Sequence, residues 1–179
     1  MLAYRVWRVV VVGGEALRLG SLGTLDLWEK EMVAYCLAPG TVADHLRAEL
    51  PKARSRHKCG LYAVKGARDV IDTAREVYAG IPGSVTLYGT VLETELGYRA
   101  TNARVEILYK YMWRCSRCGG GYRRGWVEAD RMAYWGFPLN TTGFLCAKCV
   151  TLVSKPSLVF AKKDVYGLLS NYYRVPWKM

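Results

Sequence analysis

The sequence predicts an α+β fold, with a β-rich domain over residues 1–112, a four-cysteine module over 113–152 and a helical tail over 153–179. Three observations support this prediction. Runs of β-branched and aromatic residues alternate with Gly and Pro turn signals before residue 112. One segment near residue 70 has the apolar period of an amphipathic helix. Both Cys-x-x-Cys pairs lie after residue 112.

The first forty residues predict antiparallel strands. Tyr4–Val12 is rich in β-branched and aromatic residues, and a Gly-Gly pair after it predicts a tight turn. Glu15–Leu19 is then expected to return as the partner strand. Leu25–Leu37 predicts a further strand around Met32, which a Pro-Gly pair ends.

Helical spacing appears twice in this domain, with a strand between. Thr41–Leu50 predicts a short helix capped by Thr41. Cys59–Val64 predicts a buried strand, and Ala67–Ala79 predicts the one strongly amphipathic helix, which Gly80 ends. The expected apolar faces are Val42, Leu46 and Leu50 in the first helix, and Val70, Ile71, Ala74, Val77 and Tyr78 in the second.

A long hairpin closes the domain. Ser84–Glu95 and Tyr98–Tyr111 both alternate apolar and polar residues around a Glu-Leu-Gly turn. Val85, Leu87 and Val91 are expected to share one face, opposite Val105, Ile107 and Tyr109. In the tail, Ser157–Tyr173 predicts a helix whose apolar stripe is Leu158, Ala161, Val165, Leu168 and Tyr172.

Four cysteines carry the strongest chemical signal. Cys115 and Cys118 form one Cys-x-x-Cys pair, and Cys146 and Cys149 form the other. Two such pairs suit one tetrahedral zinc ion, and Gly119 suits a turn that needs positive φ. Four thiolates close the coordination shell, so the predicted zinc is structural rather than catalytic.

The spacing leaves the class of the module open between a zinc ribbon and a treble clef. A hairpin between the pairs would give a ribbon, whereas a helix beginning at Cys146 would give a treble clef. The alternatives to metal are two disulfides, free buried thiols or a redox pair. Two pairs favour metal over a redox site, which needs only one.

The net charge of +11 is concentrated near the cysteines, since residues 113–179 alone carry +8. Phosphate-binding cations beside aromatic rings that stack on bases are typical of nucleic-acid binding. The residues assigned to this role are Arg114, Arg117, Arg123, Arg124, Trp126, Arg131 and Lys148. Two alternatives stay open: the aromatic residues form a small core with solvated arginines around it, or the face binds a protein, as in an adaptor.

A second cluster is weighed around His57 and Cys59, which share a face if the segment is extended. Three alternatives stay open here: Cys59 is plain core, or His57 and Cys59 bind a second metal together with Cys36 and His45, or Cys59 is a nucleophile activated by His57. No third catalytic group and no phosphate-cradling glycine motif is recognisable. The sequence therefore favours a non-enzymatic protein over a Cys/His enzyme.

The expected setting is the cytoplasm. Six cysteines with metal spacing argue for a reducing compartment. No secretory signal is recognisable, and no uncharged apolar segment approaches the roughly 20 residues of a membrane helix. We therefore expect no membrane association.

Three short sequence motifs in the first domain resemble those of other proteins. They are Tyr4-Arg-Val-Trp-Arg-Val9, Cys59-Gly-Leu-Tyr-Ala63, and Gly89-Thr-Val-Leu-Glu93 followed by Gly97-Tyr-Arg-Ala100. Together they resemble a group of small proteins from actinobacteria and their bacteriophages, over roughly Tyr4 to Tyr109. The resemblance implies a bacterial or phage-encoded setting, and it carries over no functional residue.

Overall fold

The computed structural model describes residues 1–12, 16–22, 26–36, 38–49, 59–76, 80–110, 115, 118–120, 125–130, 140–150 and 159–178. Over these residues the fold is a strand-rich α+β structure, as predicted, with three helices of eight residues or more and one single turn. The strands are β1 Leu2–Val12, β2 Ala16–Gly20, β3 Leu27–Trp28, β4 Glu31–Val33, β5 Leu61–Ala63, β6 Gly80–Thr94, β7 Gly97–Tyr109, β8 Gly125–Asp130, β9 Asn140–Cys146, β10 Val159–Ala161 and β11 Trp177–Lys178. The helices are α1 Val42–Glu49, α2 Ala67–Glu76, α3 Ala147–Val150 and α4 Lys162–Tyr173.

All the described strands join one sheet, whose main path runs β10-β8-β9-β1-β6-β7-β11. The first strand, β1, is shared by several partners. Its residues Leu2–Arg8 pair with β6 and its residues Arg8–Val12 pair with β2, both antiparallel. Val10 and Val11 also pair with the first two residues of β9. The strands that contain or flank the cysteines therefore continue the main sheet.

The long hairpin is confirmed as β6 and β7, but its facing residues differ from the prediction. A bulge beside Ser84 leaves Glu106 as an extra residue in β7, so the alternation changes face there. Val105 and Leu108 are consequently the fully buried residues, and Ile107 is only half-buried. The predicted inward position of Ile107 is wrong because alternation assumes an unbroken ladder.

A second bulge in the hairpin lies between Tyr88 and Val91. Gly89 takes a φ of +77° there, and a Cβ atom at this position would lie 2.2 Å from Thr101 Oγ1. Only glycine fits this bend without displacing its neighbours.

Helix α1 begins as predicted. The N–H of Asp44 donates to Thr41 Oγ1 at 3.1 Å, and the N–H of Thr41 donates to Asp44 Oδ2 at 3.2 Å. This reciprocal pair is a capping box. Val42 and Leu46 form the buried face, and Leu50 lies outside the described residues.

Helix α2 packs its predicted apolar face on β1. Val70 and Ala74 are buried against Val6, with Ile71 partly buried beside them. The two remaining residues predicted for this face, Val77 and Tyr78, lie outside the described residues.

The tail differs from its prediction in two ways. Residues 159–161 form strand β10 rather than helix, and α4 begins only at Lys162. The buried stripe of α4 is Val165, Leu169 and Tyr173, whereas Leu168 is 41% exposed. Val165 belongs to both stripes, but the buried positions after it are one residue further along than predicted. Ala161 belongs to β10, and Leu158 lies outside the described residues.

Tyr173 ties α4 to the N-terminal strands. Its ring is fully buried, and its hydroxyl accepts the N–H of Leu19 at 2.9 Å and donates to the carbonyl of Trp28. Leu19 and Trp28 face each other across β2 and β3. The hydroxyl thus connects a backbone donor of one strand with a backbone acceptor of the neighbouring strand. Burial raises the pKa of this phenol.

Two short strands that pair with β7, β4 and β11, also differ from the sequence prediction. Leu25–Leu37 contains β3 and β4 rather than one strand centred on Met32, with residues 34–36 outside any strand. The last strand, β11, was not predicted; it pairs parallel with Leu108 and Tyr109 of β7. A strand of two residues has too little periodicity to be recognised in a sequence.

The main core spans both ends of the chain. Trp7 and Trp28 meet edge to face with ring centroids 5.4 Å apart, and Val165, Leu169 and Tyr173 belong to the same cluster.

Among the described residues, the helices are all too short or too polar to cross a membrane. The three-part division of the chain stays a prediction.

Neighbouring leucines in α4 test the observed stripe. Leu169→Ala should lower the free energy of unfolding by about 2–5 kcal/mol, because it removes a fully buried side chain. Leu168→Ala, the matched control, should change it by about 0.5 kcal/mol or less. Urea unfolding followed by circular dichroism measures both. A larger loss of stability in Leu168→Ala than in Leu169→Ala would instead support the stripe predicted from the sequence.

Candidate metal centre

The structure brings all four predicted cysteines together. The sulfur atoms of Cys115, Cys118, Cys146 and Cys149 all lie within 4.8 Å of one another. Cys118 Sγ and Cys146 Sγ are 3.9 Å apart, well beyond a disulfide bond of about 2.05 Å. None of these four cysteines forms a disulfide bond. This cluster could hold a metal ion.

The first pair lies on a tight backbone loop. The N–H of Gly119 donates to the carbonyl of Cys115 at 2.8 Å, and the N–H of Cys115 donates to the carbonyl of Gly120 at 3.0 Å. Gly119 has a φ of +69°, the left-handed conformation expected from its position after Cys118. The loop folds around Cys118 and directs both sulfurs to one side.

The second pair lies where a strand becomes a helix. Cys146 is the last residue of β9, and Cys149 is the third residue of α3. The N–H of Cys146 points at Cys115 Sγ across 3.5 Å, which links the two pairs directly. A donor aimed at sulfur favours the thiolate, the form that binds metal.

Strand β9 connects the cluster to the rest of the fold. Its first residues, Asn140 and Thr141, pair with Val11 and Val10 of β1, and its last residue pairs with Gly125 of β8. The position of Cys146 is therefore set by the main sheet through a strand of seven residues.

Burial and electrostatics around the cluster disfavour negative charge. Cys115 is 2% exposed and Cys149 is 5% exposed, whereas Cys118 lies at the surface. Burial, together with the three neighbouring thiols, raises the pKa of Cys149 to about 12. A divalent cation reverses this preference, because its charge stabilises the thiolates that crowd around it.

The residues predicted to bind nucleic acid are mostly beyond the described part of the chain. Arg114, Arg117, Arg123, Arg124 and Arg131 lie outside the described residues. Trp126 is in β8, where its backbone pairs with Leu145 of β9 and Ala161 of β10. Lys148 is exposed and lies between the two cysteines of the second pair.

The second predicted cluster is also assembled, in part. Sulfur and nitrogen atoms of Cys36, His45 and Cys59 lie within 4.8 Å of one another. All three residues are half-buried, and Cys36 and Cys59 pack against the apolar cluster of Val42, Leu46 and Leu92. Burial and contact with Cys36 raise the pKa of the Cys59 thiol. The proposed partner His57 lies outside the described residues.

Sequence reasoning could name these three residues only as the cysteines and histidine left over from the first cluster. It could not predict that they lie close together, because Cys36, His45 and Cys59 belong to segments separated by the capping turn of α1 and by residues 50–58. The signal for their proximity is tertiary: α1 packs against β6 and β7.

Comparison of the chain with protein-family models, with curated proteins and with solved structures gives no match.

Proposed function

We propose that this is a non-enzymatic protein in which one structural zinc ion holds a basic, aromatic surface for binding nucleic acid. The observation that carries the proposal is the convergence of four cysteine sulfurs within 4.8 Å. The nucleic-acid part rests on the charge and composition of the chain around that cluster.

Zinc is the proposed metal because the donors and their spacing suit it. Four thiolates are a common structural zinc set, with Zn–S bonds of about 2.3 Å. A tetrahedron of such bonds separates its sulfurs by about 3.8 Å. Cys118 Sγ and Cys146 Sγ lie 3.9 Å apart without any ion. The helical turn of α3 directly after Cys146 supports a treble clef over a ribbon.

The proposed binding surface is supported by charge. Residues 113–179 carry +8 of the total +11. In the described residues, exposed lysines flank the segment: Lys148 lies within the second cysteine pair, and Lys110 precedes the first. The N–H of Lys110 donates to the carbonyl of Lys178 at 2.7 Å, which places a further exposed lysine beside it. Several cations in one region are the electrostatic requirement for binding phosphates.

Zinc content tests the structural half of the proposal. Cys118→Ser should lower the zinc content by one ion per chain, because it removes one of four ligands. Cys118 is exposed, so this change should leave the remaining fold intact. Elemental analysis after gel filtration measures the content, with Ser116→Ala as the control inside the same pair. Unchanged zinc in Cys118→Ser would contradict the assignment.

The salt dependence of the affinity tests the proposed binding to nucleic acid. Affinity for a duplex or single-stranded oligonucleotide should fall linearly with the logarithm of salt concentration. The double change Arg123→Gln and Arg124→Gln should reduce that slope by about 2, since each lost phosphate contact removes about 1. Fluorescence anisotropy from about 20 to 200 mM salt measures it.

Arg104→Gln is the control for loss of an arginine elsewhere, because Arg104 is exposed on β7 and paired with Glu106 at 2.8 Å. Its slope should equal that of the unmodified protein. Absence of binding at about 20 mM salt would reject nucleic acid as the ligand. A protein partner that is captured after nuclease treatment would then identify the chain as an adaptor.

A further inference from the structure

We propose that Cys36, His45 and Cys59 form a second zinc site, separate from the four-cysteine cluster. Their ligand atoms lie within 4.8 Å of one another although they come from three different segments. Cys36 follows β4, His45 is in α1, and Cys59 precedes β5. Two thiolates and one imidazole are a donor set that zinc prefers.

The imidazole of His45 is oriented as a metal ligand requires. Its Nε2 lies 2.8 Å from the carbonyl oxygen of Pro39, and a carbonyl can only accept. The proton is therefore on Nε2, and the lone pair of Nδ1 is directed at Cys59 Sγ, 3.5 Å away. A ligating histidine commonly donates its other ring N–H to a backbone carbonyl in this way.

The spacing between these two atoms suits a shared zinc ion. With Zn–S of about 2.3 Å and Zn–N of about 2.05 Å, tetrahedral angles put sulfur and nitrogen about 3.6 Å apart. The observed 3.5 Å is that separation. The same separation suits a hydrogen bond between the two groups, which a zinc ion bound by both would replace.

The backbone around Cys59 is held rigidly. The guanidinium of Arg99, which is 4% exposed, donates twice to the carbonyl of Cys59, from Nε at 3.0 Å and from Nη2. Gly60 follows with a φ of +105°. The same order of a cysteine and a left-handed glycine occurs at Cys118 and Gly119.

The other two ligands are equally fixed. His45 lies in the first turns of α1, which the capping box at Thr41 and Asp44 anchors. Cys36 is two residues after Ala34, whose N–H donates to the carbonyl of Thr101 at 2.7 Å. Both cysteines pack against an apolar cluster formed by Val42, Leu46 and Leu92. A dry apolar shell on one side strengthens metal–ligand attraction.

Three protein ligands leave one position of a zinc tetrahedron for water or another ligand. This distinguishes the second site from the closed four-cysteine cluster. The half-buried state of all three ligands leaves a route by which an ion and a fourth ligand could reach them.

Metal stoichiometry in paired variants is the test. The full chain, purified with zinc and gel-filtered, should hold two zinc ions. His45→Gln and Cys59→Ser should each hold one, with apparent zinc affinity at the second site lowered at least about 100-fold, since outer-sphere changes alone cost about 10–100-fold. Arg47→Gln, on the exposed side of the same helix, should keep both.

The Cys118→Ser variant separates the two sites. It should keep the ion at the second site, which His45→Gln loses. Its cobalt(II) form should show the visible bands of a tetrahedral site with sulfur and nitrogen ligands. Combining Cys118→Ser with His45→Gln should remove those bands, while far-ultraviolet circular dichroism confirms that the chain is folded.

Two outcomes would overturn the second site: two ions retained in His45→Gln, or one ion in the unmodified chain that Cys118→Ser removes. One ion in the unmodified chain that His45→Gln removes and Cys118→Ser retains would instead support the second site and reject the four-cysteine assignment. The failures of the two proposals are thus distinguishable.

Discussion

The pairing of β1 is the constraint on which the rest of the fold depends. A buried strand must satisfy its N–H and C=O groups, and β1 pairs with the adjacent strand β2 and with two strands from distant parts of the chain, β6 and β9. Its partners β6 and β9 begin about 80 and 140 residues along the chain. The N-terminal strand thereby positions both the long hairpin and the strand that ends in Cys146.

The two cysteine-containing clusters use the same construction. In each, one cysteine lies at or within two residues of the end of a strand, Cys146 in β9 and Cys59 before β5, and a left-handed glycine follows one cysteine. They differ in burial and in donor number. The four-cysteine cluster combines two buried, one half-buried and one exposed thiol, whereas the Cys36, His45 and Cys59 group is half-buried throughout. The difference in donor number is the physical reason for assigning a closed coordination shell to one and an open coordination position to the other.

Much of the fold could be predicted because its signals are local. The capping box of α1, the period of α2 and the alternation of β6 and β7 depend on residues within a few positions of each other. The bulge at Glu106, the register of α4 and strand β11 could not be predicted, since each is decided by contacts with remote segments. The four cysteines were found by spacing alone. The tautomer of His45 depends on the carbonyl of Pro39, and no side-chain pattern encodes a backbone acceptor.

The hydroxyl of Tyr173 has a consequence for how the chain is made. It bridges Leu19 and Trp28, which leave the ribosome about 150 residues earlier. Until the C-terminal helix has been synthesised, that donor and acceptor lack the partner they have in the finished fold. Sequence-distant contacts of this kind form late and slowly. The N-terminal sheet therefore reaches its final packing only after translation of the tail, and a ribosome-bound chain that stops before residue 165 exposes the apolar surface that Val165, Leu169 and Tyr173 later cover.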